Sequence, residues 1–119
     1  MLIFPLKKEW YEKIKSGEKT VEYRKVKSYW TRLIVLNFFR PMFGLYSPEE
    51  VFKKVSSLGF SQQFDGCNMP YCALRLGYTR KMITARISRI EVINGKDTDL
   101  HIDKPVYAIH LTNVTEVNK

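Results

Sequence analysis

Apolar and polar positions change their period several times along this chain, and each change marks an element. The run Leu2 to Leu6 is short and apolar and predicts a first strand. From Lys7 to Lys15 the pattern turns amphipathic, with Trp10, Tyr11 and Ile14 on one stripe, which predicts a helix with an aromatic core face. Gly17 stands where a helix ending at Ser16 needs a residue tolerant of positive φ, and Lys15 complements the dipole in the last turn. From Thr20 the period becomes two. Thr20, Glu22 and Arg24 then share a polar face of a strand, while Val21 and Tyr23 share the core face.

Further along, Tyr29 to Phe39 alternates poorly but is rich in Trp, Leu, Ile, Val and Phe. It reads as a strand buried on both faces, starting near Trp30 and broken at Arg40-Pro41. Ser47-Pro48-Glu49-Glu50 is a helix start, with Ser47 as N-cap, Pro48 at the first position and Glu50 completing a capping box. Phe52, Val55 and Leu58 form that helix's apolar stripe, and Gly59 ends it. Ser61 to Pro70 reads as a loop. Tyr71 to Gly77 and Lys81 to Ile93 read as two strands joined by a tight turn at Gly77-Tyr78-Thr79-Arg80. In the second of these the apolar parity runs Ile83, Ala85, Ile87 and then shifts to Ile90 and Val92, as one extra residue near Ser88-Arg89 would produce. An acidic loop after Asn94-Gly95 leads to a last strand at Val106 to Leu111. The expected fold is one α+β domain over residues 1–119, in which five to six mostly antiparallel strands curl into a small barrel with two helices.

Length and composition narrow the class. A chain of 119 residues with 45% hydrophobic and 13% aromatic content supports one folded core. No apolar run reaches bilayer length, and the first residues lack the basic leader of a secretion signal, so a cytoplasmic protein without membrane contact is expected. Cys67 and Cys72 form no disulfide framework and no four-ligand zinc set, and His101 and His110 show no motif spacing to them. Two free thiols, no metal and no cofactor are expected. The net charge is +8, and it is uneven. Residues 1–32 hold nine Lys or Arg against four Glu, net +5, and the remainder holds eleven against eight acids, net +3. A positive field concentrated near the N-terminal third suits a polyanion such as RNA.

That same third carries the candidate chemistry. Lys19 sits at the bend between helix and strand, with Glu22 and Arg24 close behind it. A lysine becomes a base or nucleophile when burial or a nearby cation disfavours its charged form, and a neighbouring carboxylate opposes that change. Lys19 therefore reads equally as a chemical group and as half of an ion pair with Glu22 that braces a cleft wall. Trp30 and its neighbour Tyr29 are candidates to stack on unpaired bases, with half-buried packing as the alternative. Tyr78 and Arg80, in their tight turn, are placed to meet a base and a phosphate, or form an ordinary exposed turn. Phosphate-cradling glycine loops, Cys-x-x-Cys, H-E-x-x-H and G-x-S-x-G are absent.

The order of a first apolar strand, a helix with Trp10, Tyr11 and Ile14, and then G-x-K-x-x-E-x-R at Gly17, Lys19, Glu22 and Arg24 resembles the ASCH domain of the PUA-like superfamily. Gly77-Tyr78 before the long strand, and the closing strand, are similar to that family's last hairpin and last strand; residues between Asn37 and Tyr71 match little of it. The resemblance implies a PUA-like pseudobarrel and a cleft walled by the first helix, the Lys19 to Arg24 segment and the Tyr78 turn. One branch of the family hydrolyses the amide of acetylated cytidine with a lysine at the position of Lys19 and a threonine where this chain has Glu22. That branch's catalytic glutamate has no clear counterpart, Glu91 being the candidate. Leu76 stands where the family often has Asn before the Gly-Tyr pair.

The expected function is binding of RNA or a nucleotide-like ligand in a basic cleft, through Lys19, Glu22, Arg24, Trp30, Tyr78 and Arg80. The alternatives are a small hydrolase in the same cleft, with Lys19 and Glu22 catalytic, acting as an amidohydrolase on a modified nucleoside or as a ribonuclease, and an accessory protein-interaction domain. Oligomeric state is left open by the sequence.

Overall fold

A computed structural model describes residues 1–117. The elements are β1 (Leu2–Leu6), α1 (Lys8–Ser16), β2 (Val21–Lys25), α2 (Ser28–Phe38), α3 (Pro48–Val55), β3 (Ser61–Gln63), β4 (Tyr71–Leu76), β5 (Met82–Asn94) and β6 (Pro105–Val117), with short 3-10 turns at Arg40–Gly44 and Gly66–Asn68. The chain is α+β, with its strands hydrogen-bonded in the order β1-β4-β5-β6-β2 and β3 paired to β5. The sheet is mixed: β1 and β4 run parallel, Phe4 opposite Leu74, and β4 and β5 antiparallel, Leu74 opposite Ile83. Among the described residues no helix is long and apolar enough to cross a membrane.

The chain divides into two compact units. The first comprises Met1–Glu22, Gln63–Arg89 and the segment from His110 onward. Its core is one face of the β1, β4 and β5 strands, where Leu2, Phe4 and Leu6 alternate with more exposed neighbours and Leu74, Ile83 and Ile87 are sealed. Tyr11 and Ile14 of α1 close this face, since their spacing puts both on one helical stripe. Tyr11 Oη donates to Glu116 Oε2 at 2.8 Å, and Lys15 Nζ lies 3.3 Å from Glu116 Oε1, so one carboxylate holds two points of the helix.

The second unit comprises Tyr23–Gln62 and Ile90–Ile109. Here the expectation for Tyr29 to Phe39 is corrected, because the segment is the helix α2 and not a strand. Its buried set, Trp30, Thr31, Ile34 and Val35, repeats at four residues, a helical stripe that the density of branched and aromatic side chains hides in the sequence. Among the described residues the α-helices therefore number three rather than two. The capping box of α3 forms as expected: Ser47 Oγ accepts from the Glu50 N–H, and Glu50 Oε1 accepts from the Ser47 N–H, both at 3.2 Å. Its stripe is Val51 and Val55, with Phe52 half-buried. Leu58, expected on that stripe, lies beyond the helix and is exposed. Ser61–Gln63, expected as loop, is a short strand. The parity shift in β5 is present: Ile83, Ala85 and Ile87 are buried, and after Ser88 and Arg89 so are Ile90 and Val92. Gly95 is held by space, since a Cβ there would lie 2.6 Å from Val106 Cγ1 and 2.9 Å from Ile102 O.

One buried polar contact ties this unit together. The hydroxyls of Thr31 and Tyr107 are 2.7 Å apart, with both side chains out of water. Burial pushes the Tyr107 hydroxyl upward from its ordinary range, so it stays neutral. Because an orphaned buried hydroxyl keeps its full desolvation cost, Tyr107→Phe is expected to destabilise the protein by about 1–3 kcal/mol in chemical denaturation. Adding Thr31→Val should restore part of that loss; a double variant no better than Tyr107→Phe would show that the pair does not carry the effect.

Candidate functional site

The turn from α1 into β2 is held mainly by backbone, with Ser16 Oγ donating to Lys13 O at 3.1 Å and accepting from the Glu18 N–H at 3.4 Å. Gly17 adopts φ 84°, where a side chain would be strained, and its N–H donates to Ile14 O at 3.1 Å. Lys19 N–H then reaches back to Lys13 O at 3.0 Å, and Leu111 N–H donates to Thr20 O at 2.8 Å. Lys19 thereby leaves the helix end at a set angle and β2 starts on the sheet.

The side chains of Lys19 and Glu22 are brought together as the spacing suggested, with Nζ 3.8 Å from Glu22 Oε1. Lys19 Nζ also lies 5.4 Å from the Trp10 ring centroid, and Lys13 Nζ lies 5.1 Å from the same ring. Two expectations are corrected here. Trp10 is half-buried and cation-flanked rather than part of the sealed core, which Tyr11 and Ile14 supply instead. The other concerns β2, whose polar and apolar faces do not separate as alternation implies. Glu22 is its buried residue, 5% exposed, while Val21 and Tyr23 are only half-buried. Tertiary packing turns the Glu22 face inward, where Lys19 supplies the counter-charge.

Glu22 has a second effect inside this unit. Burial pushes the Cys72 thiol up to about 12, and the Glu22 charge adds to the shift. Cys72 is thus an inert thiol, whereas Cys67 is exposed; neither is in a disulfide. No group of three or more His, Cys, Asp or Glu residues among the described residues is placed to hold a metal ion.

The hairpin turn between β4 and β5 presents the other expected residues of this unit. Tyr78 is 89% exposed, Arg80 is exposed, and the Arg75 guanidinium stands 5.6 Å from the Tyr78 ring centroid. Thr79 Oγ1 donates to Leu76 O at 2.7 Å and accepts from Lys81 N–H at 3.2 Å, which fixes the turn below the ring.

The remaining candidates lie in the second unit. The Arg24 guanidinium covers the Trp30 ring at 4.7 Å, and Tyr29 meets that ring edge-on at 5.0 Å. Trp30 is only 9% exposed and Tyr29 is 62% exposed, so of this aromatic pair Tyr29 offers the open ring. Glu91 is half-buried; its charge and that of Asp99 add to burial in pushing the Tyr23 hydroxyl upward. Sequence reasoning missed a groove of about 440 Å³ in this unit, lined in part by Lys27, Arg32, Lys53, Ser28 and Phe52. Its cations come from α2 with the residue before it and from α3, which the sequence does not bring together, so no local spacing could have revealed it.

Comparison with protein-family models, with curated proteins and with solved structures finds no match to this chain.

Two expectations follow from this geometry. In the native protein a thiol reagent should label Cys67 rapidly and Cys72 only on unfolding; equal labelling rates would contradict the sealed Cys72 position. The Glu116 carboxyl is held below its ordinary value, first by the Tyr11 hydroxyl and then by Lys15. A depressed native value means that the stabilisation is complete above the unfolded carboxylate range and is lost as pH falls through the native value. The stability difference between the parent and Glu116→Gln should accordingly be largest near neutral pH and shrink in acid, and a difference that grew in acid would refute the clamp.

Proposed function

We propose that this chain is a PUA-like, ASCH-type domain of the cytoplasm that binds RNA or a nucleotide-like ligand at the turn carrying Lys19 and Glu22. The observation that carries the reading is the placement of an ammonium and a carboxylate side by side against an indole ring, with side chains 9% and 7% exposed. A donor, an acceptor and a ring face are what the polar edge and π-face of a base require. An ion pair so withdrawn from water adds little net stability, because desolvation offsets its Coulomb attraction, and such pairs are found where recognition or chemistry needs them. The exposed Tyr78 and Arg80 of the same unit supply a stacking ring and a phosphate contact, and the net charge of +8 favours a polyanion. Cys67 and Cys72, both free, fit a reducing compartment.

Binding is favoured over hydrolysis by Glu22. In the hydrolytic branch of the family that the sequence resembles, a hydroxyl stands at this position; here a carboxylate takes its place, 3.8 Å from the lysine, so the hydroxyl which that branch carries is missing.

Fluorescence anisotropy with a labelled single-stranded RNA tests the reading. Affinity should fall steeply with salt; Lys19→Ala should weaken binding roughly tenfold to a hundredfold, as loss of a charged hydrogen bond does, and Lys19→Arg should keep part of it. Salt-insensitive or undetectable binding would overturn the proposal. Turnover of an acetylated nucleoside by the parent, lost equally in the Ala and Arg variants, would make the site catalytic instead.

A further inference from the structure

The face of β1, β4 and β5 opposite α1 is built unlike the face that α1 covers. The strand register puts Tyr71, Ala73 and Arg75 of β4 in line with Arg86, Thr84 and Met82 of β5, and Ile3 beside Ala73. Ala73 is sealed between its neighbours, whereas Tyr71 is 54% and Ile3 37% exposed and Arg75, Thr84 and Arg86 are half-buried. Over the paired stretches, Leu2–Leu6, Tyr71–Leu76 and Met82–Arg86, this face carries no acid; the nearest acid along β5 is Glu91, beyond the Ser88-Arg89 parity shift.

Two arginine–tyrosine pairs mark the ends of the strip. Arg86 lies 4.8 Å over the Tyr71 ring and is held there by its Nε and Nη2 donating to Met69 O at 3.2 and 2.8 Å. Arg75 stands 5.6 Å from the Tyr78 ring and donates from Nε to Gly77 O at 3.2 Å. Each guanidinium is therefore positioned by a carbonyl, with no carboxylate partner among the described residues, and each ring keeps exposed surface. Tyr71 and Arg75 are four residues apart on one strand face, about 13 Å at the usual rise, and Tyr78 lies beyond in the turn. Rings separated along a cationic strip suit a chain whose bases unstack and whose phosphates run between them.

We infer that this open strand face is a binding path for single-stranded RNA, with Tyr71 and Tyr78 stacking on unpaired bases and Arg75 and Arg86 meeting the phosphates. The inference rests on the RNA-binding reading above and adds a surface that the Lys19 turn does not include. Charge complementarity commits the face to a polyanion, and the two exposed rings commit that polyanion to one with free bases.

Anisotropy titrations with a short labelled oligouridylate test it, with a duplex RNA of the same length as control. Tyr71→Ala and Tyr78→Ala should each weaken binding roughly five- to a hundredfold with the salt slope unchanged, since stacking is uncharged. Tyr71→Phe should retain parent affinity, and Arg75→Ala and Arg86→Ala should each reduce the slope of log Kd against log salt. Parental melting temperatures in the tyrosine variants would confirm that folding is intact. If the parent binds RNA through Lys19 while both alanine variants bind as well as the parent, this inference falls and the Lys19 reading stands. Tyrosine-independent binding carried by the arginines alone, or equal affinity for duplex, would also overturn it. No RNA binding at low salt would overturn both readings.

Discussion

Leu2, Phe4, Leu6, Leu74, Ile83 and Ile87 point from one face of the β1–β4–β5 ladder into the space that Tyr11 and Ile14 of α1 close, and the first unit follows from that burial. A helix of nine residues is not stable alone, so α1 exists because its stripe is needed there. Each such side chain contributes about 1.5–3 kcal/mol on leaving water, far more than any surface ion pair. With Tyr11 and Ile14 fixed and Glu116 holding the same helix at Tyr11 and Lys15, the direction in which the chain leaves Ser16 is set. The Gly17 turn and the placement of Lys19 are consequences of core packing.

Electrostatics in the first unit then works against its surroundings rather than with them. Glu22 is pressed into a buried position where a carboxylate is costly, and the Lys19 ammonium and nearby indole make that position tolerable. The same charge helps to keep Cys72 in its thiol form. A carboxylate that opposes local burial and is compensated by a neighbouring cation is the kind of feature that distinguishes a site from a core.

Cation–ring contacts recur throughout the molecule: Lys13 and Lys19 on Trp10, Arg75 on Tyr78, Arg86 on Tyr71, and within the second unit Arg24 on Trp30 and Lys54 on Tyr46. In this protein of net charge +8 these six cations stand against aromatic faces, Lys19 against the Glu22 carboxylate as well. Such contacts are individually worth about 0.5–1 kcal/mol when exposed and leave the cation's charge available to an anion, which an ion pair does not.

How much of this was legible in the chain depends on the range of the interaction involved. Local signals were sufficient for β1, for α1 and its Gly17 stop, for the Ser47–Glu50 capping box, for the β4–β5 turn and for the parity shift in β5, because each is decided by neighbours within a few residues. The same range sufficed to bring Lys19 and Glu22 together, three positions apart across one turn. Where long-range packing decides, the sequence alone misleads. Tyr29 to Phe39 is rich in residues that strands favour, yet forms α2 because Trp30, Thr31, Ile34 and Val35 must all reach one core, and only a helix presents them together. Glu22 carries the polar signature of an outward residue and is turned inward by the sheet that β2 joins. Trp10, expected in the core, became a ring flanked by lysines, and Arg86 found Tyr71 only through strand register. Composition and short spacing thus determined most of the elements and one ion pair of this protein; the helical state of α2, the pairing of β3, which faces the elements bury, and so which charges and rings remain open to a ligand, were decided by tertiary structure, because burial is a property of contacts between residues far apart in the chain.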